Sequence, residues 1–554
     1  MYRIPILVAV LLILVPCSAF QITEFCPDPY LPNDADEYII ISGSGSLDGI
    51  TISDGEGGFR FPPGTVADGQ VIIARSAVAF NQTHGQLPDF EWYDTTPSVP
   101  DVISGDKLRM ANTRDELMLY NHNSLLQKVS WPADVKSREG QIHYLEGGIW
   151  DQRPFSLGQS RFVPATFDNI TITAFVSPDS AGVVFDSALT SAKQTVHVNV
   201  YEFSSATLAS QLIDAEKRGV DVLVLVEGGP VGGISNEEKA ALFSMNQSGI
   251  PVYQMAEVND NKAPYRFDHA KYIVIDGRSV LITSENFKAS GIPPAGFKGN
   301  RGWGVYIEDP GPAAYFDNVF LSDIRMKNSI PYSGTPGPLE ASPAVAYRPE
   351  FPAQRFQGAT VTPVISPDTS YQILGLINSA QNSIEIEQAY ITNETATTLN
   401  PYLAAAVNAS RRGVRVRVIL DSYWYNIEEE KDNDEMAALI NRIAATEGLS
   451  LEARCAELDL NNIEKIHNKG VIVDNLSVLV SSINWNSNSP NFNREAGVII
   501  RHPGAARYFL NVFEDDWQPR ASRINQDPDL LKYAALVLVI AALVGMYLLK
   551  RRRP

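Results

Sequence analysis

The chain has 554 residues, 44% of them hydrophobic and 20% charged, with 64 acidic against 45 basic side chains and a net charge of −19. A length of this order accommodates about three domains with their own cores. The acidic balance repels polyanions, so bulk nucleic-acid binding is disfavoured unless a local basic site overrides the field.

Residues 1–19 (MYRIPILVAVLLILVPCSA) combine a short basic start, an apolar stretch from Ile4 to Val15 and a small-residue end at Ser18-Ala19, the pattern of a secretory signal peptide. Beyond it only Cys26 and Cys455 remain, which excludes a disulfide framework and leaves at most one bridge. From residue 20 to 140, short β-rich runs (EYIIIS, GITISD, QVIIAR, ELMLYN) are separated by Gly, Pro, Asn and Asp, an all-β sandwich pattern. The string NDADEYIIISGSGSLDGITISDGEGGFRFPPGT resembles a lamin-tail domain, which implies an immunoglobulin-like sandwich that binds or positions an unknown partner. Asp34, Asp36, Asp48, Asp54 and Glu56 within it read as turn formers rather than a calcium site. Residues 141–165 read as a linker.

Two segments, 166–330 and 358–520, then repeat each other across a Pro/Gly-rich linker at 331–357. Ser177-Pro178-Asp179 recurs as Ser366-Pro367-Asp368, and a helix-like segment ending Lys217-Arg218-Gly219 recurs as Arg411-Arg412-Gly413. Leu208, Leu212 and Ala215 share one face of the first helix; Leu399, Leu403 and Val407 are expected to do so in the second. Each Gly is placed as a helix stop, and the apolar runs VDVLVLVE and VRVRVILD that follow suit strands buried in a helix-covered sheet. The strand-helix-strand order predicts parallel pairing and an α/β class.

The chemistry is written into the repeat. His269-x-Lys271-x(4)-Asp276 returns as His467-x-Lys469-x(4)-Asp474, and each Asp is followed after eight residues by a Ser and after ten by an Asn: Ser284 and Asn286, then Ser482 and Asn484. Period-2 alternation puts His and Lys of each copy on one strand face, an imidazole beside an ammonium, whereas Asp276 and Asp474 fall on the other face and read as structural. Trp303, Tyr390, Tyr423, Trp424 and Trp485 are candidates for a substrate mouth or for packing.

This doubled motif resembles the phospholipase D superfamily. The resemblance implies two α/β repeats related by a pseudo-twofold axis and a phosphohistidine intermediate, with neither metal nor other cofactor. On that reading Lys271, Lys469, Asn286 and Asn484 hold the phosphate oxygens and Ser284 and Ser482 buttress them. Asn493-Arg494-Glu495 resembles the family segment whose Glu bonds the catalytic imidazole, while the first copy reads Asn300-Arg301-Gly302 and has no carboxylate there. A carboxylate favours the protonated imidazole, so the expectation is that Glu495 supports His467 as general acid and that His269 attacks phosphorus.

Residues 533–549 are an uncharged apolar run of bilayer length, stopped by Lys550-Arg551-Arg552-Arg553, and read as a transmembrane helix with a basic cytoplasmic tail at 550–554. With the signal, this predicts a single-pass cell-membrane protein whose catalytic part lies outside. Removing the signal and everything from Lys532 takes away six of 45 basic residues and leaves 39 against 64 acids, a net −25. The leading expectation is a membrane-anchored phosphodiesterase or phosphatidyltransferase acting on phospholipids. The alternatives are a surface nuclease, for which Arg411, Arg412, Arg415 and Arg417 are the available bases, and a surface binding or scaffold protein.

Overall fold

The computed structural model describes residues 20–131, 140–146, 148–151, 155–258, 263–337, 345–395, 397–428 and 432–518. The signal peptide and the apolar run at 533–549 lie outside the described residues; among those described, no helix is long and apolar enough to cross a membrane. The chain divides into two compact units, residues 1–159 and 160–554.

In the first unit two sheets face each other. One runs in the order Ile149–Trp150, Gln141–Glu146, Gln21–Cys26, Tyr38–Ser46, Val66–Ala74, Phe90–Glu91; the other runs Ile103–Ser104, Gly58–Arg60, Ile50–Ser53, Asp115–Asn121, Ser124–Trp131. Alternation along each strand sends Ile39 and Ile41 inward to meet Ile50, Ile52, Leu117 and Leu119 of the opposite sheet. The all-β expectation is corrected by a helix, Ala77–His84, capped by Ser76, whose Phe80 covers Tyr38 and Ile40 on the outer face. The linker expected at 141–165 is corrected as well, since Gln141–Glu146, Ile149–Trp150 and Phe155–Ser156 complete the first sheet. The acidic side chains do serve turns: Asp54 accepts from the amides of Glu56, Gly57 and Arg109, Asp36 from Leu31, and Asp48 from Gly64. Cys26 and Cys455 are both free thiols.

The second unit is built on one sheet of fifteen strands among the described residues. Its middle is the antiparallel pair Phe167–Ser177 and Gln354–Ser366, one strand from each repeat. Outward from the first come Gly302–Ile307, Ser279–Thr283, Lys271–Ile275, Thr195–Val200, Asp221–Glu227, Val252–Met255 and Ser329–Pro331. Outward from the second come Glu495–Arg501, Ser477–Ser481, Lys469–Val473, Ser383–Gln388, Arg415–Leu420 and Leu451–Cys455, so the order reads alike from the centre in both directions.

Parallel pairing holds only where a helix makes the crossover, as from Thr195–Val200 to Asp221–Glu227 and from Ser383–Gln388 to Arg415–Leu420. The motif strands pair antiparallel on both sides and the sheet is mixed. The cause is local: Asp276-Gly277 and Asp474-Asn475 take left-handed turns that send the chain straight back. Leu208, Leu212 and Ala215 are buried as expected, whereas Leu399 precedes its helix, which starts at Pro401 behind the Asn400 cap.

Helices cover both sheet faces, but unequally. On one face each repeat has its own core, Phe185 and Leu212 in the first and Leu403 and Ile440 in the second. On the other, Pro310–Ile324 and Pro503–Trp517 bring Phe316, Phe320, Phe509 and Phe513 into a single core shared by both repeats. Each such ring is worth about 1.5–3 kcal/mol of burial, and the shared core brings each motif strand against a strand of the other repeat, Lys271–Ile275 against Glu495–Arg501 and Lys469–Val473 against Gly302–Ile307.

Candidate active site

His269 and His467 sit just before their strands, where the sheet ends at the junction of the repeats. The backbone that fixes each one comes from the opposite repeat. His269 N donates to Arg494 O at 2.8 Å and Arg494 N to Phe267 O at 3.0 Å; His467 N donates to Arg301 O at 2.9 Å and Arg301 N to Lys465 O at 2.8 Å.

Each arginine is in turn locked by carboxylates from both repeats. Arg301 donates to Asp179 (2.6 Å), Asp516 (2.8 Å) and the Ser177 carbonyl (3.1 Å); Arg494 donates to Asp368 (2.8 Å), Asp323 (2.8 Å) and the Ser366 carbonyl (3.0 Å). Both guanidinium groups and these carboxylates have no solvent exposure. Arg suits this because its planar fork saturates two carboxylates at once. The repeated Ser-Pro-Asp thus supplies the anchor of each buried ion cluster.

The imidazoles are held crosswise too, and here the structure corrects the sequence reading. His269 Nδ1 donates to Glu495 Oε2 at 2.8 Å, so the carboxylate expected behind His467 stands behind His269. Glu495 is itself fixed, accepting from the Ser482 hydroxyl at 2.6 Å and from Asn493 Nδ2 at 3.1 Å. His467 Nδ1 lies 3.4 Å from Glu285 Oε2, an ion-pair distance, and Glu285 accepts from Asn300 Nδ2 at 2.9 Å. The pairing crosses because the strand that carries Glu495 packs against the motif strand after His269, and the strand that carries Gly302 against the motif strand after His467.

The two imidazoles and the two ammonium groups lie close enough for their charges to act on one another. Burial pushes the His467 imidazole well below its usual range, and Lys469, Lys465, Lys271 and His269 all push it further down by their charge. Burial lowers Lys271 to about 8, against the pull of Glu495, Glu202 and Glu285. Lys469 is driven well below its normal value by burial and then by Lys271. His269 is lowered by burial, with Glu495 opposing. Packed cations in a dry site are mutually repulsive unless an anion enters. The lysine side chains are aimed by short bonds, Lys271 Nζ to the His269 carbonyl (2.7 Å) and Lys469 Nζ to the His467 carbonyl (2.6 Å).

The remaining motif residues divide. Ser284 and Ser482 are fully buried and committed to protein partners, the first accepting from Trp303 N at 3.1 Å and the second bonding Glu495, so they brace the site from behind instead of reaching a phosphate. Asn286 gives its amide to Glu202 at 2.6 Å; its carbonyl oxygen and that of Asn484 have no protein partner. Asp276 and Asp474 sit at the far ends of their strands, accepting from the amides of residues 193–195 and 381–383. Trp303 and Trp485 are core, packed on Phe509 and Tyr402, and leave the mouth to others. Tyr390 bonds Asn486, while Trp424 is 57% exposed beside Tyr423.

Three residues escape the motif reading. Tyr201 packs its ring edge on His269 at 4.5 Å and lies 5.4 Å from Lys271 Nζ. Glu202 joins Asn286 and Lys288 at the rim. Glu285 had a legible signal, a charged residue at a motif position where the second copy has Ile483. The basic residues advanced for nucleic acid are engaged elsewhere: Arg411 with Glu447, Arg412 with the Asn378 carbonyl, Arg415 with Glu385, and Arg417 with Glu514. Among the described residues one acidic trio lies within metal-binding distance, Glu91, Asp94 and Asp101 in the first unit, and Glu91 there already accepts three backbone amides.

Residues 185–324 and 373–517 match the family model described as cardiolipin synthase, phospholipase D-like domain. A curated protein named phospholipase D from Rickettsia bellii (strain RML369-C) is 26% identical over 118 residues, 21% of this chain and 53% of that protein, so the chain spans about half the length of the relative it matches. Among solved structures, the phospholipase D family member Nuc from Salmonella typhimurium aligns with 25% identity, 31% of this chain, 99% of that chain and a TM-score of 0.25. The phosphatidylserine synthase of Haemophilus influenzae aligns with 13% identity, 68% and 96% coverage and a TM-score of 0.47.

Proposed function

Because the chain belongs to the phospholipase D superfamily, we propose that it cleaves or transfers phosphodiesters through a phosphohistidine, with His269 as nucleophile and His467 as general acid and base. The observation that carries this reading is the crosswise pairing of each imidazole with a buried carboxylate beside two depressed lysines. Attack places positive charge on the nucleophilic ring, so the fixed Glu495 at 2.8 Å favours His269 for that step. This ground replaces the expected one, which had put Glu495 behind His467.

His269 Nε2 bonds phosphorus in line, the P–O bond to the leaving alcohol breaks, and His467 gives its Nε2 proton to that oxygen. Water or a second alcohol then attacks phosphorus, His467 takes its proton, and the P–N bond breaks. Lys271 and Lys469 neutralise the non-bridging oxygens, and the buried amide carbonyls of Asn286 and Asn484 have no protein partner.

For the substrate we favour phospholipids. The acidic outer chain and the prior engagement of the surface arginines weigh against polyanions. The apolar run at 533–549, with the signal-like leader, supports a site held at the outer face of a membrane. The N-terminal sandwich, with its lamin-tail-like string, would serve as a binding module. His269→Ala is expected to abolish phosphoenzyme, whereas His467→Ala lets it accumulate from bis(p-nitrophenyl) phosphate, read by intact-mass spectrometry; the reverse pattern exchanges the roles. Release of labelled fragments from DNA but not from lipid vesicles would replace the lipid reading with the nuclease one.

A further inference from the structure

We infer that Glu285 is the positioning carboxylate of His467, relocated in this chain from the strand position that Glu495 occupies in the second repeat to the motif position that Ile483 occupies there. The inference rests on the two-histidine reading above and deepens it by naming the group that holds the acid.

Gly302 is the position matching Glu495, and space explains why it is a glycine. A Cβ on Gly302 would lie 2.3 Å from Glu285 Oε1, 2.5 Å from its Cγ and 2.7 Å from the Ser284 hydroxyl. Gly302 is not among the glycines with positive φ, so no left-handed backbone demands it. The side chain of Glu285 fills the volume that a residue at 302 would use. Its support matches as well: Asn300 holds Glu285 at 2.9 Å as Asn493 holds Glu495 at 3.1 Å. Both carboxylates are fully buried, and each faces the imidazole of the other repeat. One repeat therefore has Glu then Gly, the other Ile then Glu, and the carboxylate count at the site is conserved by a change of position.

The two are not interchangeable in strength. Glu495 is saturated, whereas Glu285 Oε1 has no protein partner and its Oε2 stands 3.4 Å from His467 Nδ1. Burial raises the Glu285 carboxyl to about 7. Beside a ring of depressed basicity such a carboxyl holds the proton at rest and passes it to Nδ1 as the Nε2 proton goes to the leaving oxygen, taking it back when Nε2 regains a proton from water. A group acting through the acid matters most when the leaving group needs protonation.

The test compares Glu285→Gln with wild type on bis(p-nitrophenyl) phosphate, whose leaving group departs with little help, and on diphenyl phosphate, whose leaving group needs the acid. The expected result, read as the single-turnover rate at which the first alcohol is released, is a loss of about 100-fold on diphenyl phosphate and within about threefold on the nitrophenyl ester. Glu285→Ile combined with Gly302→Glu copies the second repeat and should recover at least about tenfold over Glu285→Ile alone; Ser482 tolerates Glu495 in the matching geometry. Equal loss on both esters, no loss, or no recovery in the double variant would overturn the assignment. Turnover persisting in His269→Ala would instead overturn the two-histidine reading itself, so the failures are told apart.

Discussion

The His269 side and the His467 side of the site share a scaffold and differ in how firmly the carboxylate is held. Behind His269, Glu495 makes bonds of 2.8, 2.6 and 3.1 Å; behind His467, Glu285 has one bond of 2.9 Å and stands 3.4 Å from the ring. Duplication thus preserved the backbone frame and the arginine clusters while letting the proton chemistry diverge. A tightly fixed anion suits a ring that becomes positive, and a looser, more protonatable one suits a ring that must trade protons.

The frame itself gives the largest effect. Arg301→Met and Arg494→Met each strand two buried carboxylates, so each should destabilise the catalytic unit by about 3–5 kcal/mol in denaturant unfolding, nearly equally if the frame is symmetric. A difference of more than about 2 kcal/mol between them would break the symmetry. Glu495→Gln comes next: it disturbs the tautomer of His269 and should lower kcat by about 100-fold on both the nitrophenyl and the phenyl esters, unlike the leaving-group-selective loss expected for Glu285→Gln.

Proton linkage sharpens the contrast further. Lys271, lowered to about 8, and Lys469, lowered well below its normal value, are drawn back toward their charged forms by an anion. Binding of inorganic phosphate at pH 8 should therefore take up protons, seen by calorimetry in buffers of different ionisation enthalpy, and less so in Lys469→Met. The sign follows from the direction of the shifts: a depressed ammonium is partly neutral before binding and protonated after it. In the free enzyme kcat/KM should fall as pH rises through about 8, where Lys271 loses its charge. The smallest effect is Tyr201→Leu, which removes the ring edge from His269 and should cost about 0.5–1.5 kcal/mol in kcat/KM, while Tyr201→Phe keeps the ring and loses less.

Much of this was legible in the chain because the repeat is local in sequence. His, Lys and Asp lie within eight residues, and strand alternation alone places His and Lys together and Asp away. Which carboxylate meets which imidazole was not legible, since His269 and Glu495 are 226 residues apart and their pairing depends on the central strands that join the repeats. The roles of Trp303 and Trp485 were hidden for a similar reason. A Trp near a motif reads the same whether it faces a mouth or, as at Trp303, the ring of Phe509 on a distant helix. The helix at 77–84 went unread because AVAFNQTH is short and flanked by strand-like text, and only packing against Tyr38 reveals it.

The exchange of backbone and guanidinium bonds between the repeats bears on how much the peptide connection between them matters. Each catalytic ring is tied to the other repeat by a main-chain bond, a buried ion cluster and a carboxylate, and the sheet runs unbroken through the junction. A protease cut between Gly337 and Val345 should therefore leave two fragments that stay associated and retain turnover, and the repeats expressed as separate polypeptides should reconstitute by complementation.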